Sequence, residues 1–384
     1  MSGMGPEGGM GGMGGMGGMG GMGGMGGMGG GGMAGVTRWY GGYGTPLMTD
    51  ALIVHRDGIV GTWQGPVANP AQLNVEDVVN LERWEPWVRA AIYNGELLNH
   101  LQFSAEPVVQ NGPLKVAILW HVGAPAGPQF KASCSPLVRF IRPTPAIFQT
   151  QLALVDAYAD LREDRGSEIL AQMTVPIAFW SSVLNLHPDR TRWTIELIEA
   201  ALGLAMYAEH RFKHALACRR PMEYSPQIQP MILVPGHSSL PSGHSTEAHT
   251  AAYVLWKLLK TAQAGSVALW AEQLMRQAAR VAINRTIAGL HFPIDSAAGQ
   301  LLGLTLGEYF VSRCGAAANY DTWQFDGEKY DPAADFDWRQ QYDTNADARV
   351  LPVPGGFFSL LANQPALSSA VLASLWNNAL AEWA

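Results

Sequence analysis

Three short blocks of this sequence gather the side chains best able to do chemistry: KHALACRRP from Lys213 to Pro221, PSGH from Pro241 to His244, and RTIAGLHFPID from Arg285 to Asp295. In the first, Lys213 and Arg220 stand seven residues apart. That is nearly two helical turns, so both cations can leave one face and converge on an anion. Pro221 disfavours helix at the residue before it, which puts the Arg220 guanidinium at a helix end, free for paired hydrogen bonds with an oxyanion edge. Taken alone, this block also fits a solvated basic helix end.

The second block precedes an apolar-periodic helix that begins near Thr246. A helix N-terminus presents unpaired N–H groups and partial positive charge, and Gly243 lets an anion approach the backbone. Ser242 adds a hydroxyl donor, and His244 can deliver or take a proton. Alone, the block is equally a plain helix cap, with Ser245 or Thr246 capping and His244 exposed. In the third block Arg285 closes one helix, Gly289 permits a sharp turn and Pro293 suits the first residue of the next helix. His291 then lies just outside that N-terminus. Asp295, one turn on, can accept the proton of one ring nitrogen so that the other aims its lone pair at a pocket. A loop histidine before Phe-Pro, taken singly, has a structural reading too.

The elements that must hold these blocks are helical by periodicity: residues 145–165, 168–186, 191–217, 246–262, 267–284 and 293–313. The expected fold class is therefore all-α, a helical bundle whose motif core spans about 145–313. Before it, residues 36–127 mix extended pieces at 51–55 and 116–120 with a helix over 75–101. Residues 316–354 read as an acidic, aromatic surface wrap, and 366–383 as a closing helix. Residues 1–33 are a Gly and Met repeat with no apolar periodicity, expected to be a disordered tail without function. With no linker composition after it, residues 34–384 are expected to form one domain.

Composition limits the partners. At 384 residues and 48% hydrophobic content the chain can bury a large core, and a net charge of −7 argues against nucleic acid. An anion site must then be a local cluster of cations. Cys134, Cys218 and Cys314 are widely spaced and read as reduced core thiols. No secretory leader is seen, and each apolar run long enough to span a bilayer is broken by a charge or strong polar group. These features make no membrane span and a cytoplasmic location the expectation. A homo-oligomer is compatible with the sequence.

Together the blocks match K-x6-RP, PSGH and R-x5-H-x3-D, ten specified positions in order over roughly a fifth of the chain. They resemble the three signature motifs of the type 2 phosphatidic acid phosphatase superfamily, which includes acid phosphatases and vanadium haloperoxidases. The resemblance implies an α-helical bundle with the site at converging helix ends. It implies that Lys213, Arg220 and Arg285 neutralise a bound oxyanion, that Ser242 and Gly243 donate to it, and that His244 is the acid-base residue. His291 becomes the nucleophile of a phosphatase or the protein ligand of vanadium. One site can serve both chemistries because a phosphoryl group in transfer and a bound vanadate share shape and charge.

A chain without spans, with a long region before the first motif, is more similar to the vanadium haloperoxidases. His237, five positions before Ser242, is similar to the histidine of bromoperoxidases, although a loop histidine beside Gly236 is as good a reading. His210, three before Lys213, departs from the tryptophan of well-known haloperoxidases. The favoured expectation is an enzyme using vanadate and hydrogen peroxide to oxidise bromide or iodide, for a small organic acceptor. The alternatives are a phosphomonoesterase or diphosphatase working through a phosphohistidine at the same site, where phosphate replaces vanadate, and an oxyanion-binding protein without turnover.

Overall fold

The computed structural model describes residues 46–108, 112–123, 132–173, 177–263 and 268–384. The Gly and Met repeat at 1–33 lies outside them. Two compact units divide the chain between Arg89 and Ala90. In the first, α1 (Pro46–Ile59) buries none of its side chains, and a 3-10 turn (Val78–Arg83) is capped by the Asp77 carboxylate accepting from the Val79 N–H. The extended piece expected at 51–55 is thus helical. Pro46 opens that helix with its φ already set. The helix expected over 75–101 is also shorter, because Pro86 excludes helix from the residue before it: α2 runs Pro86–Leu98, and Leu101 already starts a strand.

In the second unit, β1 (Leu101–Pro107), β2 (Leu114–Val122) and β3 (Cys134–Ile141) form an antiparallel run. Helices α3 (Pro145–Ala157), α4 (Arg162–Ala171), α5 (Ile177–Leu184), α6 (Arg192–Leu216), the one-turn α7 (Pro221–Tyr224), α8 (Gly243–Ala262), α9 (Ala268–Ile287) and α10 (Pro293–Arg313) follow. The chain then returns to the sheet as β4 (Asn319–Asp326), makes a two-stranded ladder of β5 (Tyr342–Asp343) and β6 (Ala348–Arg349), adds β7 (Phe358–Pro365) and ends on α11 (Ala370–Ala381).

The fold is therefore mixed, not all-α: helices stand beside a five-stranded sheet of order β1-β2-β3-β4-β7. β4 pairs parallel to β3, Val138 facing Trp323 and Ile141 facing Asp326, and β7 pairs antiparallel to β4. Residues 316–354 thus supply an interior strand to the sheet, in a stretch expected to be a surface wrap. Val116, Ala117, Ile118 and Leu119 are buried in succession, as in a strand covered on both faces. Cys134 is exposed, a correction to its reading as a core thiol, while Cys218 and Cys314 are buried.

The sheet positions the site through Phe212. This side chain lies one residue before Lys213 on α6, with its ring 4.5 Å from Phe140 of β3 and 4.9 Å from Phe103 of β1. Helix α6 ends in a left-handed Ala217 whose N–H returns to Lys213 O, and Arg142 donates to the Ala217 carbonyl. At the centre, α8 packs on α10 through Gly299, Gly303 and Gly307. A Cβ at Gly299 would stand 2.6 Å from Ser242 O, and one at Gly307 2.9 Å from the Tyr253 ring. This stripe of small residues lets the α8 N-terminus, with the PSGH block, lie against the first turns of α10, with Asp295.

Candidate active site

The three blocks converge. Lys213, Arg220, Ser242, Arg285, His291 and Asp295 are each at most 3% exposed, His244 is half-buried and His237 is exposed. The Lys213 ammonium donates to Ser239 O at 3.2 Å and to Pro241 O, which ties the end of α6 to the loop entering PSGH. Burial lowers its pKa to about 8, against the opposing pull of Glu209.

The Arg220 guanidinium is fixed by loop carbonyls: Nε donates to His237 O at 2.9 Å and Nη1 to Leu290 O at 3.0 Å. Nη1 also stands 3.5 Å from His291 Nε2, and Nη2 3.2 Å from His237 Nδ1. Arg285, from the last turn of α9, donates through Nη2 to Ile169 O and to Gln172 Oε1, both at 3.2 Å. Its Nε is buried without a partner among the described residues. A buried guanidinium N–H left unpaired is costly unless an anion takes it, so the donor set fits a tetrahedral oxyanion.

His291 follows Gly289, whose φ of +78° makes the turn into α10. Its Nδ1 lies 3.0 Å from Asp295 Oδ2, which also accepts from the Phe292 N–H at 3.0 Å and from the Ser239 hydroxyl. A carboxylate can only accept, so the proton sits on Nδ1 and Nε2 carries the lone pair toward Arg220. Burial, reinforced by Arg220 and Lys213, holds the His291 pKa well below the usual imidazole value. The ring is neutral at pH 7, with the Nε2 lone pair directed at Arg220 Nη1. Burial raises the Asp295 pKa to about 6.

Ser242 is the N-cap of α8, its hydroxyl accepting from the Ser245 N–H, and its own N–H donates to Asp295 O at 2.9 Å. Ser242, not Ser245 or Thr246, caps the helix. His244 Nε2 donates to Gln172 O at 2.7 Å, so Nδ1 is the unprotonated nitrogen, and burial with Arg285 nearby lowers its pKa to about 3. The exposed His237 ring meets the site through Arg220 Nη2 and packs edge-on against His210, ring centroids 5.3 Å apart.

Four residues at the site carry no motif. Ser239 and Gln172 hold Asp295 and Arg285, and nothing in their sequence neighbourhood marks them. Glu209 and Glu247 are buried carboxyls whose pKa values burial raises, beside Lys213 and near each other. Glu209 lies one turn before Lys213 on the same helix face, and that i,i+4 spacing is the signal that finds it. It also gives Gly243 a second reason: a Cβ there would collide with both Glu209 carboxylate oxygens, with Oε2 at 2.9 Å. Glycine at 243 leaves room for the Glu209 carboxylate of α6 against the start of α8. Among the described residues no group of three His, Cys, Asp or Glu is placed to hold a metal ion.

The family comparison agrees with the motifs. The model of the PAP2 superfamily matches residues 197–316, under a third of the chain, and this stretch holds all three blocks. No curated protein matches. Among solved structures, one described as the first transmembrane PAP2 type phosphatidylglycerolphosphate phosphatase from Bacillus subtilis is similar at 20% identity and a TM-score of 0.35, over 43% of this chain and 84% of that one. Among the described residues of this chain, no helix is long and apolar enough to cross a membrane. Residues 197–316 of this chain are thus similar to the PAP2 superfamily.

Proposed function

We propose that this protein hydrolyses phosphate monoesters or diphosphates through a phosphohistidine on His291. The observation that carries this reading is the neutral His291, whose Nδ1 is held by Asp295 while Nε2 faces the Arg220 guanidinium. In the first step Nε2 attacks phosphorus, the bond to the leaving oxygen breaks, and His244, protonated for this step, gives that oxygen its proton. The negative charge of a bound phosphate opposes the effect of Arg285 on His244 and favours its protonated form. In the second step water attacks phosphorus, its proton returns to His244, and the P–N bond breaks to release phosphate. Lys213, Arg220 and Arg285 stabilise the equatorial oxygens through both steps.

Orthovanadate, also a tetrahedral oxyanion, fits the same donors, and in this reading it competes with phosphate. The haloperoxidase expectation rested on the absence of spans, the long region before the first motif and His237, whose side chain hydrogen-bonds Arg220, and the family match adds nothing to it.

The test is hydrolysis of p-nitrophenyl phosphate and inorganic diphosphate by purified protein, with quenched reactions probed for an acid-labile, base-stable phosphoprotein. Turnover and a phosphoprotein lost in His291→Ala support the proposal. No hydrolysis, with bromination of a cyclic diketone when vanadate, peroxide and bromide are added, overturns it.

A further inference from the structure

Gln172 ends α4, far from all three motifs in the sequence, yet it is fully buried against two of them. Its Oε1 accepts from Arg285 Nη2 at 3.2 Å and from Asn284 Nδ2 at 2.9 Å. Its Nε2 donates to Glu168 Oε1 at 3.0 Å, and its backbone carbonyl accepts from His244 Nε2 at 2.7 Å. The amide orientation is settled by these partners: Arg285 and the Asn284 NH2 group can only donate, and a glutamate held by Arg280 can only accept. One residue therefore contacts both an oxyanion-binding arginine and the acid-base histidine.

We propose that Gln172 is a positioning residue that sets the guanidinium of Arg285 for the oxyanion and, through its carbonyl, the tautomer of His244. The proposal rests on the oxyanion pocket described above. An amide suits this place for an electrostatic reason. A carboxylate would hold Arg285 equally well, but it would neutralise the charge that the anion needs. A neutral amide orients the guanidinium and leaves its charge available. Arg285 Nε, buried and without a partner among the described residues, stands beside the held Nη2 and is the donor so presented.

The experiment is a double-mutant cycle read by calorimetric binding of inorganic phosphate, with folding checked by thermal unfolding. Gln172→Leu should weaken phosphate binding at least tenfold in the otherwise native protein and change it little in Arg285→Ala, because the side chain acts through that arginine. The same loss in both backgrounds would show a general structural role and overturn the proposal, as would unchanged affinity in a folded Gln172→Leu protein. If that variant does not fold, Gln172→Glu replaces it, read with sulfate at pH 8. A tenfold or greater loss supports the proposal and unchanged affinity overturns it. Wild-type protein that binds neither anion overturns the pocket itself, and this inference with it.

Discussion

Asp295 Oδ2 lies 3.0 Å from His291 Nδ1, four residues away across the first turn of α10, and the same oxygen accepts from the Phe292 N–H and the Ser239 hydroxyl. One buried carboxylate thus decides which imidazole nitrogen is protonated and where the ring points. Asp295→Asn replaces an obligate acceptor with a group that can present an NH2 to Nδ1, which favours the wrong tautomer. In the phosphatase reading kcat should fall at least about 100-fold with little change in phosphate affinity. Steady-state kinetics on folded protein checks this. An unchanged kcat would remove Asp295 from the mechanism.

The pH dependence of kcat/KM should be bell-shaped. Burial holds Asp295 at about 6, so below that pH it gains a proton and no longer accepts from His291. Burial also lowers Lys213 to about 8, and above that pH the pocket loses a cation. Activity should rise through about pH 6 and fall through about pH 8, once the substrate's own second ionisation near 6 is corrected for. Lys213→Arg, always charged, should extend the alkaline limb.

Lys213→Ala, Arg220→Ala and Arg285→Ala should each weaken phosphate binding. A hydrogen bond to a charged group contributes about 1.5 to 3 kcal/mol, or roughly ten- to a hundredfold in Kd. Calorimetry on the three variants tests it, and unchanged affinity in all three would place the anion elsewhere.

Gly243→Ala should lower thermal stability by about 1 to 3 kcal/mol, because the added methyl meets the Glu209 carboxylate between two packed helices. Glu209→Ala in the same protein opens that space and should recover much of the loss. Additive losses in the double variant would show that Glu209 is not the obstacle.

What the sequence determined by itself was local. Lys213 and Arg220, the PSGH block, and Arg285 with His291 and Asp295 are set by spacing on helices and at helix ends, and those helices follow from apolar periodicity over many residues. The Asp295 contact was legible for this reason, being one turn from His291 on a helix that Pro293 begins. Tertiary structure alone decided the mixed sheet: β4 finds β3 across the whole helical region, and strands that pair at such separation carry no local mark of their partner. It also decided Gln172 and Ser239, whose roles exist only where α4 and the loop before PSGH meet α9 and α10. The glycine at 243 divides between the two. Its place at a helix N-terminus could be read from the sequence, but the carboxylate that crowds a larger side chain comes from another helix, and only packing brings it there.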